Sequence, residues 1–329
     1  MQKTIKLTVI LICLFTTTFI YAFDIIAHRG ASGFLPEHTK EALVLSYMQG
    51  ADYIEQDLVA TKDAKLVVLH DIHLETVTNV EQRFPDRKRT DGRYYVIDFT
   101  FEELQTLSIH ERENADGTRV FIDRYSGYGN FSIASFEEHI ELLQELNMRF
   151  NSDTGFYPEI KSPEFHLREG IDITKLTMDV LSTYGLNARN AKIYVQSFYP
   201  PTLRRIRTEF KSDVKLVQLL ADNDWNESSA DYTWLKSIEG IKDIATYADG
   251  IGPWLPHILE DGYGKPTALI KHAKSQNLKI HPYTYRKDAM FGDLSPELFF
   301  ETIKNSGVDG LFTDHILPFM VIDKSQVTN

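Results

Sequence analysis

Glu55 and Asp57 stand two apart in the apolar run Ile54–Val59, a spacing that puts both carboxylates on one face of a β-strand. Carboxylates in an apolar strand are costly unless they are paired or bound to a metal. A third, Glu159, lies in Pro158-Glu159-Ile160-Lys161, in the next barrel-type run along the chain. Glu55, Asp57 and Glu159 together offer the hard oxygen ligands that suit Ca2+ or Mg2+. His28 ends the run Ile25-Ile26-Ala27, and His70 ends Leu66–Leu69. Two imidazoles with ordinary pKa near neutrality, flanking a carboxylate cluster, suit proton transfer to and from the two ends of a bond being hydrolysed. Their types do not say which is acid and which is base. Arg29 can grip phosphate oxygens in a bidentate fork, and Lys161 can act as a point charge beside them; both also offset the carboxylates.

These residues need elements to position them. Short β-branched runs recur at Phe23–His28, Tyr53–Leu58, Tyr157–Lys161, Ile193–Phe198, Lys215–Leu220, Gly250–Pro253, Lys279–Tyr283 and Gly310–Asp314. Helical patterns separate most of them: Thr39–Met48, Phe136–Leu146, Thr174–Tyr184, Pro201–Phe210, Ile238–Tyr247, Thr267–Gln276 and Pro296–Asn305. Ser135 and Ser295 are suited to cap two of these helices. Eight strands with intervening helices predict an α/β TIM (β/α)8 barrel, whose strand ends carry the chemistry.

Gln196, Trp254, Tyr283 and Asp314 stand at later strand ends and are candidates to line the site, Gln196 and Trp254 as substrate contacts. His38, His73 and His281 are read as non-catalytic. Lys62-Asp63-Ala64-Lys65 signals a hairpin; with a two-residue turn at Asp63-Ala64, antiparallel pairing sets Asp57 opposite His70 on one face. Gly30 is expected to let the backbone approach substrate, or to serve a turn. The interval 79–133 breaks the alternation, is rich in charge, Gly and Tyr, and holds one modest helical segment, Thr100–Leu107. It is too long for an ordinary loop and is expected to be a small insertion subdomain after the second strand, capping the site.

The 329 residues can bury a large core, and 43% hydrophobic with 25% charged residues is ordinary for a globular chain. Lys3 and Lys6, the apolar run Leu7–Ile20 and the end Tyr21-Ala22 form a secretory signal pattern over 1–22, too short for a retained span. Cleavage there leaves the unit 23–322 and no stable membrane insertion. It also removes Cys13, the single cysteine; Ile12 is bulky where lipid attachment would want a small residue, so a lipoprotein is disfavoured. A cysteine-free exported chain suits a bacterial periplasm. Loss of two lysines from 35 basic residues leaves 33 against 47 acidic ones, a formal charge of −14, which excludes nucleic-acid binding through backbone phosphates.

His28-Arg29-Gly30, Pro36-Glu37-His38-Thr39, Glu55-x-Asp57, His70-Asp71, Pro158-Glu159-Ile160-Lys161 and Leu311-Phe312-Thr313-Asp314 occur in an order that resembles the glycerophosphodiester phosphodiesterase family. The likeness is greatest to its periplasmic, calcium-dependent bacterial branch. The resemblance implies a TIM barrel, metal ligands at Glu55, Asp57 and Glu159, catalytic histidines at His28 and His70, and Glu37 as a substrate contact or support beside the site. Composition alone leaves Glu37 as a first-turn acid favoured by the helix dipole. The implied reaction is metal-dependent hydrolysis of small glycerophosphodiesters, such as glycerophosphocholine and glycerophosphoethanolamine, to glycerol 3-phosphate and an alcohol. The rival readings are a phospholipase-type relative acting on intact lipid and a surface-exposed host-binding protein. The first needs an apolar docking rim, which the charged insertion does not suggest. The second would not require the metal and histidine positions to be filled.

Overall fold

The computed structural model describes residues 23–260, 265–289 and 294–317; the expected signal segment, 1–22, lies outside the described residues. Nine strands form among the described residues: β1 (Asp24–Ala27), β2 (Tyr53–Ala60), β3 (Leu66–Val68), β4 (Gly155–Ile160), β5 (Tyr194–Ser197), β6 (Lys215–Leu220), β7 (Gly250–Pro253), β8 (Lys279–Ile280) and β9 (Gly310–Thr313). All but β3 run parallel in the order β8-β7-β6-β5-β4-β2-β1-β9. The β8 and β9 edges meet through backbone hydrogen bonds, Asp309 N to Ile280 O at 2.9 Å, Phe312 N to Pro282 O at 3.0 Å and Tyr285 N to Phe312 O at 2.9 Å. The result is an eight-stranded parallel barrel sheathed in helices.

Period-2 alternation decides what points where. In β2, β4 and β5 the inward positions begin with an aromatic and continue with polar groups: Tyr53-x-Glu55-x-Asp57, Tyr157-x-Glu159-x-Lys161 and Tyr194-x-Gln196. Tyr53, Tyr157, Tyr194, Ile26, Val217 and Phe312 fill the barrel interior, with ring centroids of Tyr157 and Tyr194 5.1 Å apart. The polar groups therefore sit above an aromatic floor, at the C-terminal end of the strands. The alternate residues, such as Ile25, Ile54, Leu58, Ile160 and Val195, face the outer helices in the main core.

The helices start near the expected positions. Helix Phe136–Phe150 begins with a reciprocal capping box between Ser135 and Glu138, and helix Pro296–Asn305 is capped by Ser295. The Phe136 helix runs four residues past the predicted end and stops at Asn151, whose left-handed conformation (φ 49°) closes it.

The hairpin register differs from expectation. Its loop holds three residues, Lys62-Asp63-Ala64, with Ala64 at φ +57° and Ala64 N bonded to Thr61 O. Leu58 therefore pairs with Val68, and Asp57 lies opposite Leu69 rather than His70. His70 lies beyond the end of β3, so the pleat does not dictate where its ring points. Beyond the barrel, β2 and β3 turn Val59, Val67 and Leu69 towards a second hydrophobic cluster. Tyr94, Val96, Phe99, Leu104, Ile109 and Phe131 of the intervening segment supply much of the rest. The expected helix at Thr100–Leu107 is a single turn, Phe101–Leu104, with Thr100 as its cap.

Replacing Ser135 with Ala removes the capping box without touching the barrel interior. The expected loss is about 1 kcal/mol of unfolding free energy, read from urea denaturation, with turnover per folded molecule unchanged.

Candidate active site

Glu55, Asp57 and Glu159 converge because β2 and β4 are paired in register, with Asp57 beside Glu159. One oxygen from each lies within 4.8 Å of the others, and the residues are 4%, 1% and 5% exposed. Burial pushes the Glu55 carboxyl well above the usual range, and the neighbouring Asp57 charge adds to this. Burial also raises Glu159, to about 8, against the pull of Lys161. Burial acts on Asp57 too, yet His38, then Lys161 and His70, hold it well below an ordinary carboxylate. Oδ1 of Asp57 is buried with no hydrogen-bond partner among the described residues. Three converging buried carboxylates with an unsatisfied oxygen fit a hard divalent cation.

Each carboxylate has its own support. Gln196 Nε2 donates to Glu55 Oε1 at 2.8 Å, and the Arg29 backbone N–H to Glu55 Oε2 at 2.9 Å. His38 Nε2 reaches Asp57 Oδ2 at 2.7 Å, and Lys161 Nζ lies 3.0 Å from Glu159 Oε1. Arg29 and His38 both occupy the left-handed region (φ 56° and 61°), so the turn after β1 is strained where it meets these carboxylates. Gly30 at φ +78° has another reason to be glycine: a Cβ there would come within 2.9 Å of the Ala42 backbone in helix Lys40–Met48. Gly30 thus serves the close approach of that helix.

The two histidines have matching surroundings. His28 Nδ1 lies 2.6 Å from Asp314 Oδ1, and His70 Nδ1 lies 2.5 Å from Asp71 Oδ1. Both aspartates are held far below the ordinary carboxylate range; although burial opposes this, the facing histidine and nearby arginines outweigh it. An ionised carboxylate can only accept, so each imidazole donates from Nδ1 and presents an accepting lone pair on Nε2, which at His70 faces the Lys161 ammonium. Burial pushes His28 down to about 4 and His70 to about 3, the latter aided by Arg29 and Lys161. Nε2 of His28 is 3.8 Å from Glu55 Oε2, and Nε2 of His70 is 3.5 Å from Lys161 Nζ.

A cavity of about 190 Å³ joins these groups. Its lining combines the polar groups His28, Arg29, Glu55, Asp57, His70, Glu159 and Gln196 with the aromatic Phe198, Trp225, Trp254 and Tyr283, and also includes Glu227 and Arg286. Trp254 packs edge-on against Trp225, centroids 5.0 Å apart. Lys161 is buried against Glu159. Glu37 stands back from this cavity: its carboxylate is filled by Arg29 (2.9 Å) and by Arg112 (2.6 and 3.1 Å), and both arginines keep it ionised despite burial. Sequence reasoning set His38 aside and gave Asp314 only a lining role; Asp71 entered only within the His70-Asp71 motif, and Arg112 and Arg124 carried no spacing signal. His281 does lie away from the site, its Nδ1 2.9 Å from the Tyr157 hydroxyl in the barrel interior.

Because the metal-free carboxyls of Glu55 and Glu159 are displaced upward, a divalent cation must expel protons to bind. Below pH 8 each unit of acidification should weaken Ca2+ or Mg2+ binding by up to about tenfold per proton displaced. Calorimetric titration of the metal-free protein in two buffers of different ionisation enthalpy would count those protons.

Residues 28–317 match the family model described as the glycerophosphoryl diester phosphodiesterase family. A glycerophosphodiester phosphodiesterase of Haemophilus influenzae is 41% identical, over 88% of this chain and 86% of that one. Another, from Treponema pallidum, is 35% identical over 88% of each. Among solved structures, a glycerophosphodiester phosphodiesterase from Agrobacterium tumefaciens aligns with TM-score 0.60 at 20% identity, covering 91% of this chain and 99% of that one. An Oleispira antarctica phosphodiesterase, solved with its product sn-glycerol-3-phosphate, aligns with TM-score 0.63 at 17% identity over 94% and 98%. With a family match across nearly all of the described barrel, the chain belongs to the glycerophosphoryl diester phosphodiesterase family and is a phosphodiester hydrolase.

Proposed function

We propose that the chain hydrolyses small glycerophosphodiesters such as glycerophosphocholine and glycerophosphoethanolamine to glycerol 3-phosphate and the free alcohol. The observation that carries this is the pair of His–Asp units set around three buried carboxylates in one cavity. The glycerol 3-phosphate held by the Oleispira protein supports the same product. Glu55, Asp57 and Glu159 would hold the divalent cation, Ca2+ as the first expectation and Mg2+ as the other. When bound, it would supply Lewis-acid polarisation of the phosphate and neutralise its charge.

The chain's own groups do the rest. One histidine takes the proton of the attacking hydroxyl at its Nε2. The other, charged in the presence of the anionic diester, returns a proton to the departing alkoxide. Asp314 and Asp71 stabilise each ring when it is protonated. Arg29, on the cavity wall, binds non-bridging oxygens as charge develops, with Glu37 fixing its guanidinium and Lys161 adding positive potential. Gln196 orients Glu55, and Trp254 forms part of the apolar wall against the organic portion of the substrate.

We further read 23–322 as one catalytic unit, with 79–133 as an insertion subdomain built on a hydrophobic cluster it shares with the β2–β3 hairpin. The signal pattern over 1–22 supports export to a periplasm. No helix among the described residues is long and apolar enough to cross a membrane.

Glycerol 3-phosphate release from glycerophosphocholine should be lost in EGTA and restored by Ca2+. Restoration by Mg2+ alone would change the ion, and no release under any condition would defeat the substrate assignment. His28→Ala and His70→Ala should each lower kcat by about 10²–10⁴-fold. Near-normal turnover in either would remove that histidine from the mechanism.

A further inference from the structure

Asp314 and Asp71 divide their oxygens in the same way. In each, Oδ1 receives the histidine Nδ1–H, and Oδ2 receives an arginine from the 79–133 segment. Arg112 Nη1 lies 2.6 Å from Asp71 Oδ2, while its Nη2 and Nε hold Glu37 at 2.6 and 3.1 Å. Arg124 Nη2 lies 2.6 Å from Asp314 Oδ2; its Nε and Nη2 hold Asp288 at 2.7 and 3.1 Å, and its Nη1 reaches the Ser32 carbonyl at 3.3 Å. Arg124 is 6% exposed. Thr76 and Arg286 add further donors to Asp71 Oδ2 and Asp314 Oδ2, both at 3.0 Å.

We propose that Arg112 and Arg124 are positioning residues for the two histidines, so that the 79–133 segment completes an active site whose reacting groups lie on the barrel. This rests on the acid/base reading of His28 and His70. A planar guanidinium spanning two carboxylates fixes the plane of each, and the fixed plane sets the direction in which the imidazole donates. The ring then holds its Nδ1–H tautomer and aims Nε2 into the cavity. The guanidinium also keeps the aspartate from accepting the histidine's proton outright. Two separate guanidiniums doing this for two separate His–Asp units argues against a chance surface ion pair.

The test measures kcat and KM for glycerol 3-phosphate release from glycerophosphocholine in Arg112→Ala, Arg124→Ala and the corresponding Lys variants. Arg89→Ala serves as the control. Arg89 clamps Asp98 and the barrel's Glu169 along two edges of its guanidinium but touches neither His–Asp unit. The Ala variants should lose about 10–100-fold in kcat with KM within about twofold. Lys keeps the charge but lacks the planar fork that fixes both carboxylates, so it should restore part of that loss. Arg89→Ala should lower Tm and leave kcat unchanged. In a protein already lacking His70, removing Arg112 should cost much less kcat than in the wild type, because only its hold on Glu37 remains.

Unchanged kcat in both Ala variants, an Arg89→Ala loss equal to theirs, or full additivity with His70→Ala would overturn the positioning role while leaving the histidines in place. No turnover by the wild-type protein, or normal turnover by His70→Ala, would overturn the acid/base reading and this role with it. Should the Ala variants fail to fold, the Lys variants decide: wild-type kcat in both overturns the proposal, and reduced kcat at unchanged KM supports it.

Discussion

Three carboxylates of like charge buried side by side at the end of a barrel constrain everything around them. Isolated ionised groups in such a place would be severely unfavourable, and the ordinary response is to take up protons. Glu55 and Glu159 are pushed that way, while Asp57 stays ionised because His38, Lys161 and His70 surround it. The neighbours are arranged to satisfy individual oxygens and still leave some unmet. Gln196 and the Arg29 amide take Glu55, and His38 takes one oxygen of Asp57 and leaves the other bare. A fully compensated cluster would leave no room for a cation; this one leaves donors that could hold one.

The same constraint shapes the backbone. The turn that carries His28 and Arg29 adopts left-handed conformations at Arg29 and His38, which cost energy wherever a side chain is present. In return, one short segment delivers an amide to Glu55, an imidazole to Asp57 and a guanidinium to the cavity wall. Gly30, at the tightest point, allows helix Lys40–Met48 to pack against this turn from outside. The strain is held by hydrogen bonds at both ends, including His38 N to Arg29 O at 3.0 Å.

Around this centre the histidines are kept neutral and oriented, His28 buried and His70 half-buried. Neutrality follows from burial and nearby cations, and orientation follows from the ionised aspartates on Nδ1. The aspartates come from opposite ends of the chain, Asp71 from the hairpin side and Asp314 from the last strand's end. The barrel closes only when β9 docks on β1, with His28 N bonded to Thr313 O at 3.0 Å. Formation of the His28–Asp314 unit is therefore a report that the barrel has closed.

Periodicity in the sequence was enough to determine the barrel and most of its helices, because strand alternation and helix caps are local effects that depend on near neighbours. It also determined that Glu55, Asp57 and Glu159 share a face of paired strands, since a spacing of two and the order of strands set that without further information. The hairpin register was not determined, because one extra turn residue at φ +57° is invisible in residue types, and it moved Asp57 opposite Leu69. Nor could the sequence select His38 over other histidines, or join His28 to Asp314 and His70's aspartate to Arg112. Those partners meet through closure of the barrel and folding-back of the 79–133 segment, and long-range packing leaves no period or spacing in the chain by which to read them.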